Sequence, residues 1–155
     1  TCGAVILDGG FKQCFGINVP PDVVSSWRIG GKEQVIGQAE AYPILLAPWT
    51  WAERLRLRRC IFFIDNNSAR YAVTAMASPI PETMLILEGI ASADLTSRAI
   101  NWYSRVPTAS NIADDPSRLE FGACAALSIQ QVEPVLYQLN SIFGKDSSPC
   151  EVVEM

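Results

Sequence analysis

Two short apolar runs, "AVILD" at residues 4–8 and "CIFFID" at residues 60–65, each stop at an aspartate. Runs of this length, the first broken by Gly9 and Gly10, read as buried strands ending in turns, with Asp8 and Asp65 at the strand ends. A buried sheet that carries two carboxylates at one edge must compensate their mutual repulsion, and a divalent cation does so. The chain contains no histidine. That removes imidazole ligation, the commonest general base, and the Ser-His and Cys-His nucleophile systems, so any chemistry leans on carboxylates. Oxygen-only donors in turn suit Mg²⁺, which prefers hard ligands in near-octahedral geometry.

The rest of the chain supplies elements to carry such a site. "CFGINV" and "SSWRI", separated by "PPD", read as further strands of a meander. From Gln38 to about Leu57, apolar residues recur at helical spacing, with Leu45, Trp49, Ala52 and Leu55 on one stripe; Pro43 and Pro48 interrupt the pattern. "NNSARYAVTAMA" reads as a helix opened by an Asn or Ser cap, and "PETMLILEGIASADL" as a helix with proline near its start. "INWYSRV" reads as a short strand, and "PTASNIADDPSR" as a loop entering a helix. From Ser128 onward, Ile129, Val132, Leu136, Leu139 and Phe143 predict another helix, with Ser128 and Gln131 spaced as a capping box. The last residues, "GKDSSPCEVVEM", read as a loose tail.

With 155 residues, 49% of them hydrophobic and 18% charged, the chain has the composition of one globular domain. A net charge of -4 argues against a general nucleic-acid coat protein, although local basic contacts remain open to it. The best of these is "RLRLRR", Arg54 to Arg59, whose bland alternative is a solvated helix end. Five cysteines, Cys2, Cys14, Cys60, Cys124 and Cys150, have no paired short spacing, which points to reduced thiols in an intracellular protein of cytoplasm or nucleus. No apolar run approaches the roughly 20 residues that span a bilayer, and no secretory leader opens the chain. Thr1 in place of a start methionine hints at a piece of a longer polypeptide.

Two further carboxylates join Asp8 and Asp65: Glu40 in the first turns of the long helix, and Asp114 in the late loop. Four motifs then resemble the ribonuclease H domains, especially those attached to the reverse transcriptases of retroelements. "VILDGG" resembles the family's first-strand motif and "IGQAEAYPILLA" the helix that bears its glutamate. "FFIDNNSARYAV" is similar to the strand and helix with the second aspartate, and "RVPTASNIADDPSR" resembles the closing pattern Asn-x-Ala-Asp-x-x-Ser-Arg. They fall in family order and span Ala4 to Arg118.

The resemblance implies an α/β, ribonuclease H-like fold: a mixed five-stranded sheet flanked by helices on both faces. The core then spans 1–118; residues 119–155 read as a C-terminal helical extension and tail, expected to pack on the same domain, with contact to a polymerase and membership of a following domain as the alternatives. It implies that Asp8, Glu40, Asp65 and Asp114 are the catalytic carboxylates and metal ligands for two Mg²⁺ ions, with Mn²⁺ a substitute. Asp114 is preferred to Asp115 because Arg118 follows it by one helical turn, as in the family; Asp115 is then a helix-start residue. Gly10, Lys12, Asn67, Arg105 and Arg118 are the implied substrate contacts. The implied reaction is hydrolysis of the RNA strand of an RNA/DNA hybrid, in a protein joined to or associated with a reverse transcriptase domain.

The chain departs from the family twice. Ile36 and Gly37 stand where asparagine or glutamine normally contacts the hybrid's minor groove. Arg105 lies near the usual position of a loop histidine; arginine holds phosphate but does not shuttle protons near neutral pH. Two alternatives share the same superfamily: a non-catalytic module that braces a polymerase, and a transposase- or integrase-type nuclease core.

Overall fold

The computed structural model describes residues 1–28 and 35–137 of the chain. It begins with a hairpin of β1 (Cys2–Asp8) and β2 (Phe11–Ile17), antiparallel, with Gly3 opposite Gly16 and Asp8 opposite Phe11. Gly9 takes φ 59° in the two-residue turn, a conformation that favours glycine. Next come α1 (Pro21–Trp27), α2 (Ile36–Thr50) and α3 (Ala52–Leu55). The second half runs β3 (Arg59–Ile64), α4 (Asn67–Ala75), α5 (Pro81–Ser97), β4 (Ile100–Arg105), α6 (Asp114–Ser117), α7 (Gly122–Ala126) and β5 (Gln130–Gln131). The architecture is α/β.

Helix α2 continues through both prolines. An interior proline costs about 3 kcal/mol, but Ala41, Tyr42, Ile44, Leu45, Leu46, Ala47 and Pro48 are all buried along this helix. Each large apolar side chain withdrawn from water stabilises by roughly 1.5–3 kcal/mol, so packing outweighs the backbone penalty. The helix lies against α5, whose Ile86, Leu87 and Ile90 are buried, and Trp49 Nε1 donates to the Gly89 carbonyl at 3.2 Å. Trp27 meets Tyr42 edge-on, with ring centroids 5.4 Å apart. Asn66 caps α4 by accepting from the Ala69 N–H at 2.9 Å, which fixes the chain immediately after Asp65.

The described residues hold five strands, hydrogen-bonded as three plus two rather than as one sheet. The first sheet has the order β1-β2-β5, with β5 parallel to β2; the second is the parallel pair β3-β4. Strand identity follows from local pattern, whereas the joining of edges depends on contacts between distant segments. On β2, Phe15 faces the main core, while Cys14 faces a second cluster with Cys124 and Ile129. Helices therefore cover both faces of the hairpin. The β3-β4 pair is covered on one face only: Ile61, Phe63 and Trp102 are 61%, 62% and 71% exposed. "CIFFID" is thus a half-buried strand with alternating exposure, not a fully buried one.

Two further expectations are corrected. "SSWRI" is not a strand through Trp27, because Pro21 at the first turn opens α1, and the Ser25 and Ser26 hydroxyls bond back to Pro21 and Val23 carbonyls. The predicted helix from Ser128 is absent up to Tyr137. Ser128 instead takes φ 56°, and Gln130–Gln131 pair with Gln13 and Cys14 on the open edge of β2. Ile129 is buried beneath that edge, so part of the apolar stripe serves sheet packing. Tyr137 stacks on Trp49 at 4.9 Å, tying residues beyond 118 to the same body. Leu139, Phe143, the tail and Cys150 lie outside the described residues. Cys2, Cys14, Cys60 and Cys124 are free thiols, and no helix among the described residues is long and apolar enough to cross a membrane.

Candidate active site

Between the edge of β1 and the edge of β3 lies a cleft of 580 Å³. Residues 1–8 form one wall and residues 58–65 another, with Ala39, Glu40 and Pro43 of α2 and Asn111–Asp114 of the late loop completing it. Asp8 and Asp65 enter it from the ends of their strands. Glu40 enters from the first turns of α2, and Asp114 from the first residue of α6. Four carboxylates from four distant segments thus line one cleft; Asp115 does not.

The seat of Asp114 is built by glycine. Gly3 and Gly16 face one another across the hairpin, and α6 rests in the dent they leave. A Cβ on Gly3 would stand 2.6 Å from the Ser117 nitrogen, and one on Gly16 would overlap the Pro116 carbonyl oxygen. Pro116 is buried there. The Asn111 side chain accepts from the Ala113 N–H at 3.1 Å, turning the chain into α6. Arg118 reaches back to Asp114 at 3.2 Å, an i,i+4 pair on the helix surface.

The charges are unevenly balanced. Burial first, then the negative charges of Asp65 and Asp114, push the Glu40 carboxyl above the usual range. Asp8 instead meets two guanidiniums. Arg54 Nε lies 2.8 Å and Arg58 Nη1 3.5 Å from its Oδ2. The Arg54 Nε makes no aligned hydrogen bond, so its approach to Asp8 is electrostatic rather than directional. The Arg54 guanidinium also sits 4.5 Å over the Phe11 ring, opposite Asp8 in the hairpin.

Among the described residues, no three Cys, Asp or Glu side chains stand close enough to hold one metal ion together. The donor chemistry nonetheless fits a hard divalent cation: the acidic groups are oxygen-only, half-buried and, at Glu40, mutually repelling. Of the expected substrate contacts, Gly10, Lys12, Asn67, Arg105 and Arg118 all stand outside the cleft lining. Lys12, Asn67, Arg105 and Arg118 are exposed, and Arg118 acts on Asp114. Arg54 and Arg58 line the cleft, and sequence reasoning offered them only as part of a basic run. Comparison of the chain with protein-family models, curated proteins and solved structures found no match.

Proposed function

We propose that this chain is a ribonuclease H domain of the reverse-transcriptase type, hydrolysing the RNA strand of RNA/DNA hybrids. One observation carries the reading: Asp8, Glu40, Asp65 and Asp114 come from four distant segments and line one cleft, in a chain that has no histidine. In this reading, the two sheets are halves of a single five-stranded sheet in the order β5-β2-β1-β3-β4. The carboxylates then stand at the junction between its halves.

The four carboxylates are the groups that would hold two Mg²⁺ ions. Such ions, when bound, orient a water and stabilise the leaving 3′ oxygen of a phosphodiester. The chain's own residues set that stage. Glu40 resists ionisation through burial and its acidic neighbours, and so gains from a compensating cation. Arg118 holds Asp114 in place against the hairpin dent. Arg54, seated on the Phe11 ring, and Arg58 in the following turn bring positive charge to a cleft that must receive a polyanion. The partners in this reading are the hybrid and a linked or associated polymerase domain.

The test is cleavage of labelled RNA/DNA hybrid, double-stranded RNA and double-stranded DNA with Mg²⁺, beside an Asp65→Asn control. Cleavage of the hybrid's RNA strand, lost in the control, is the expected result. Cutting of duplex DNA alone would assign a transposase- or integrase-type core. Inactivity on every substrate with Mg²⁺ or Mn²⁺ would assign a non-catalytic module.

A further inference from the structure

We propose that Arg54, with Arg58 beside it, is a cationic latch on Asp8 that opens when the arginines grip a backbone phosphate of the hybrid, freeing Asp8 to hold metal. The inference rests on the functional reading above and assigns a positioning role to two residues outside the carboxylate set. Arg54 and Arg58 come from α3 and the turn after it, about fifty residues from Asp8. Both approach the same oxygen, Oδ2.

Three features make this contact a latch rather than a permanent brace. The Arg54 and Asp8 side chains are 39% and 36% exposed although Arg54 Nε itself is buried, and pairs that water reaches in this way are partly screened. The Nε contact lacks hydrogen-bond alignment, so little directional energy is lost when it parts. Phe11, moreover, holds the guanidinium from its other side, so Arg54 keeps a seat at the cleft when Asp8 turns away. A guanidinium and a divalent cation competing for one carboxylate oxygen repel each other, which lowers metal affinity in the free protein. A phosphodiester is the natural next partner, because guanidinium geometry matches its paired oxygens. The latch therefore couples substrate arrival to metal occupancy: phosphate draws the arginines off Asp8, and Asp8 becomes available as a ligand.

The test compares the full chain with Arg54→Gln, Arg54→Lys and Arg58→Gln, all checked for native circular dichroism. Mg²⁺ affinity is measured by calorimetry without substrate, and KM for the hybrid at saturating Mg²⁺. Arg54→Gln should bind Mg²⁺ about tenfold tighter while its KM rises about tenfold. Arg58→Gln should move both quantities the same way by less, and Arg54→Lys should stay near wild type in metal affinity. A brace that only supports the fold would weaken metal and substrate together. Unchanged or weaker Mg²⁺ binding in Arg54→Gln overturns the latch, even where the wild type binds metal and cleaves hybrid. If Arg54→Gln does not fold, Arg58→Gln decides by the same criterion. A wild type that neither binds Mg²⁺ nor cleaves overturns the functional reading, and the latch with it.

Discussion

Replacing Gly16 by alanine adds one methyl group at the point where the hairpin receives α6. That methyl would overlap the Pro116 carbonyl oxygen and stand 2.9 Å from the Pro116 carbonyl carbon and 3.0 Å from the Phe121 ring. Two of these obstacles are backbone, which cannot rotate aside as a long side chain can, so α6 must lift from the sheet. Overpacking of this kind typically costs 1–3 kcal/mol, and a backbone obstacle places Gly16→Ala near the upper end, about 3 kcal/mol. For a chain of this size, that lowers Tm by roughly 6–12 °C. Gly3→Ala, blocked at 2.6 Å by the Ser117 nitrogen, should behave alike. Because α6 begins at Asp114, both variants should also lose hybrid cleavage at temperatures where they remain folded. Gly37→Ala is the control: it lies in the first turn of α2 and has no described atom within 4 Å of the added methyl. It should stabilise by about 0.5–1 kcal/mol through lower unfolded-state entropy. Urea denaturation followed by circular dichroism reads all three. A Gly16→Ala protein within 0.5 kcal/mol of wild type would refute the close seating of α6 on the hairpin.

Three shorter predictions follow from other parts of the structure. Burial pushes the Asp94 carboxyl up to about 6 despite its 2.6 Å hydrogen bond from Asn101. The folded state thus holds that proton more tightly than the unfolded one. Stability from this group is present below about pH 4 and lost as pH rises through about 6, a fall of roughly 1–2 kcal/mol after allowance for solvent screening. Asp94→Asn should flatten that slope in urea melts between pH 4 and 6, and an unchanged slope would count against burial of the carboxylate. Removing the α4 cap with Asn66→Ala should cost about 1 kcal/mol in thermal unfolding, and a neutral result would show that the Ala69 bond contributes nothing. Arg105→His, at the exposed end of β4, should raise hybrid turnover under saturating Mg²⁺ by about tenfold or more, since histidine can shuttle protons where arginine cannot. Turnover left unchanged or reduced would remove proton transfer from this position.

What the sequence disclosed, and what it withheld, divides along contact range. β1, β3, β4, α4 and α5 were legible because each rests on its own residues: apolar runs, the Asn66 cap, Pro81 at a helix start. Glu40 and Asp114 are legible as candidates because their motifs are local, and all four carboxylates line one cleft. Helix α1 is obscured in the sequence although Pro21 and Asp22 are helix-start signals, because the following "SSWRI" reads as a strand. The region after Ser128 was misread because its apolar stripe serves an edge pairing instead. Val132 donates to the Cys14 carbonyl, and Gln13 bonds Gln130, 117 positions away. The separation of the five strands into two sheets, and the contacts of Arg54 and Arg58 with Asp8, likewise join distant segments. No local period encodes such contacts, which is why "RLRLRR" was read only as a solvated helix end or a phosphate contact.

The central claim is that four carboxylates of one cleft share divalent metal, and paramagnetic broadening of carboxyl ¹³C resonances by Mn²⁺ tests it most directly. Titrated into the full chain, Mn²⁺ should broaden the side-chain signals of Asp8, Glu40, Asp65 and Asp114 together at low stoichiometry, while leaving Asp94 sharp. Broadening that spares Asp8 and Asp114, or that spreads evenly over every exposed carboxylate, would contradict the account.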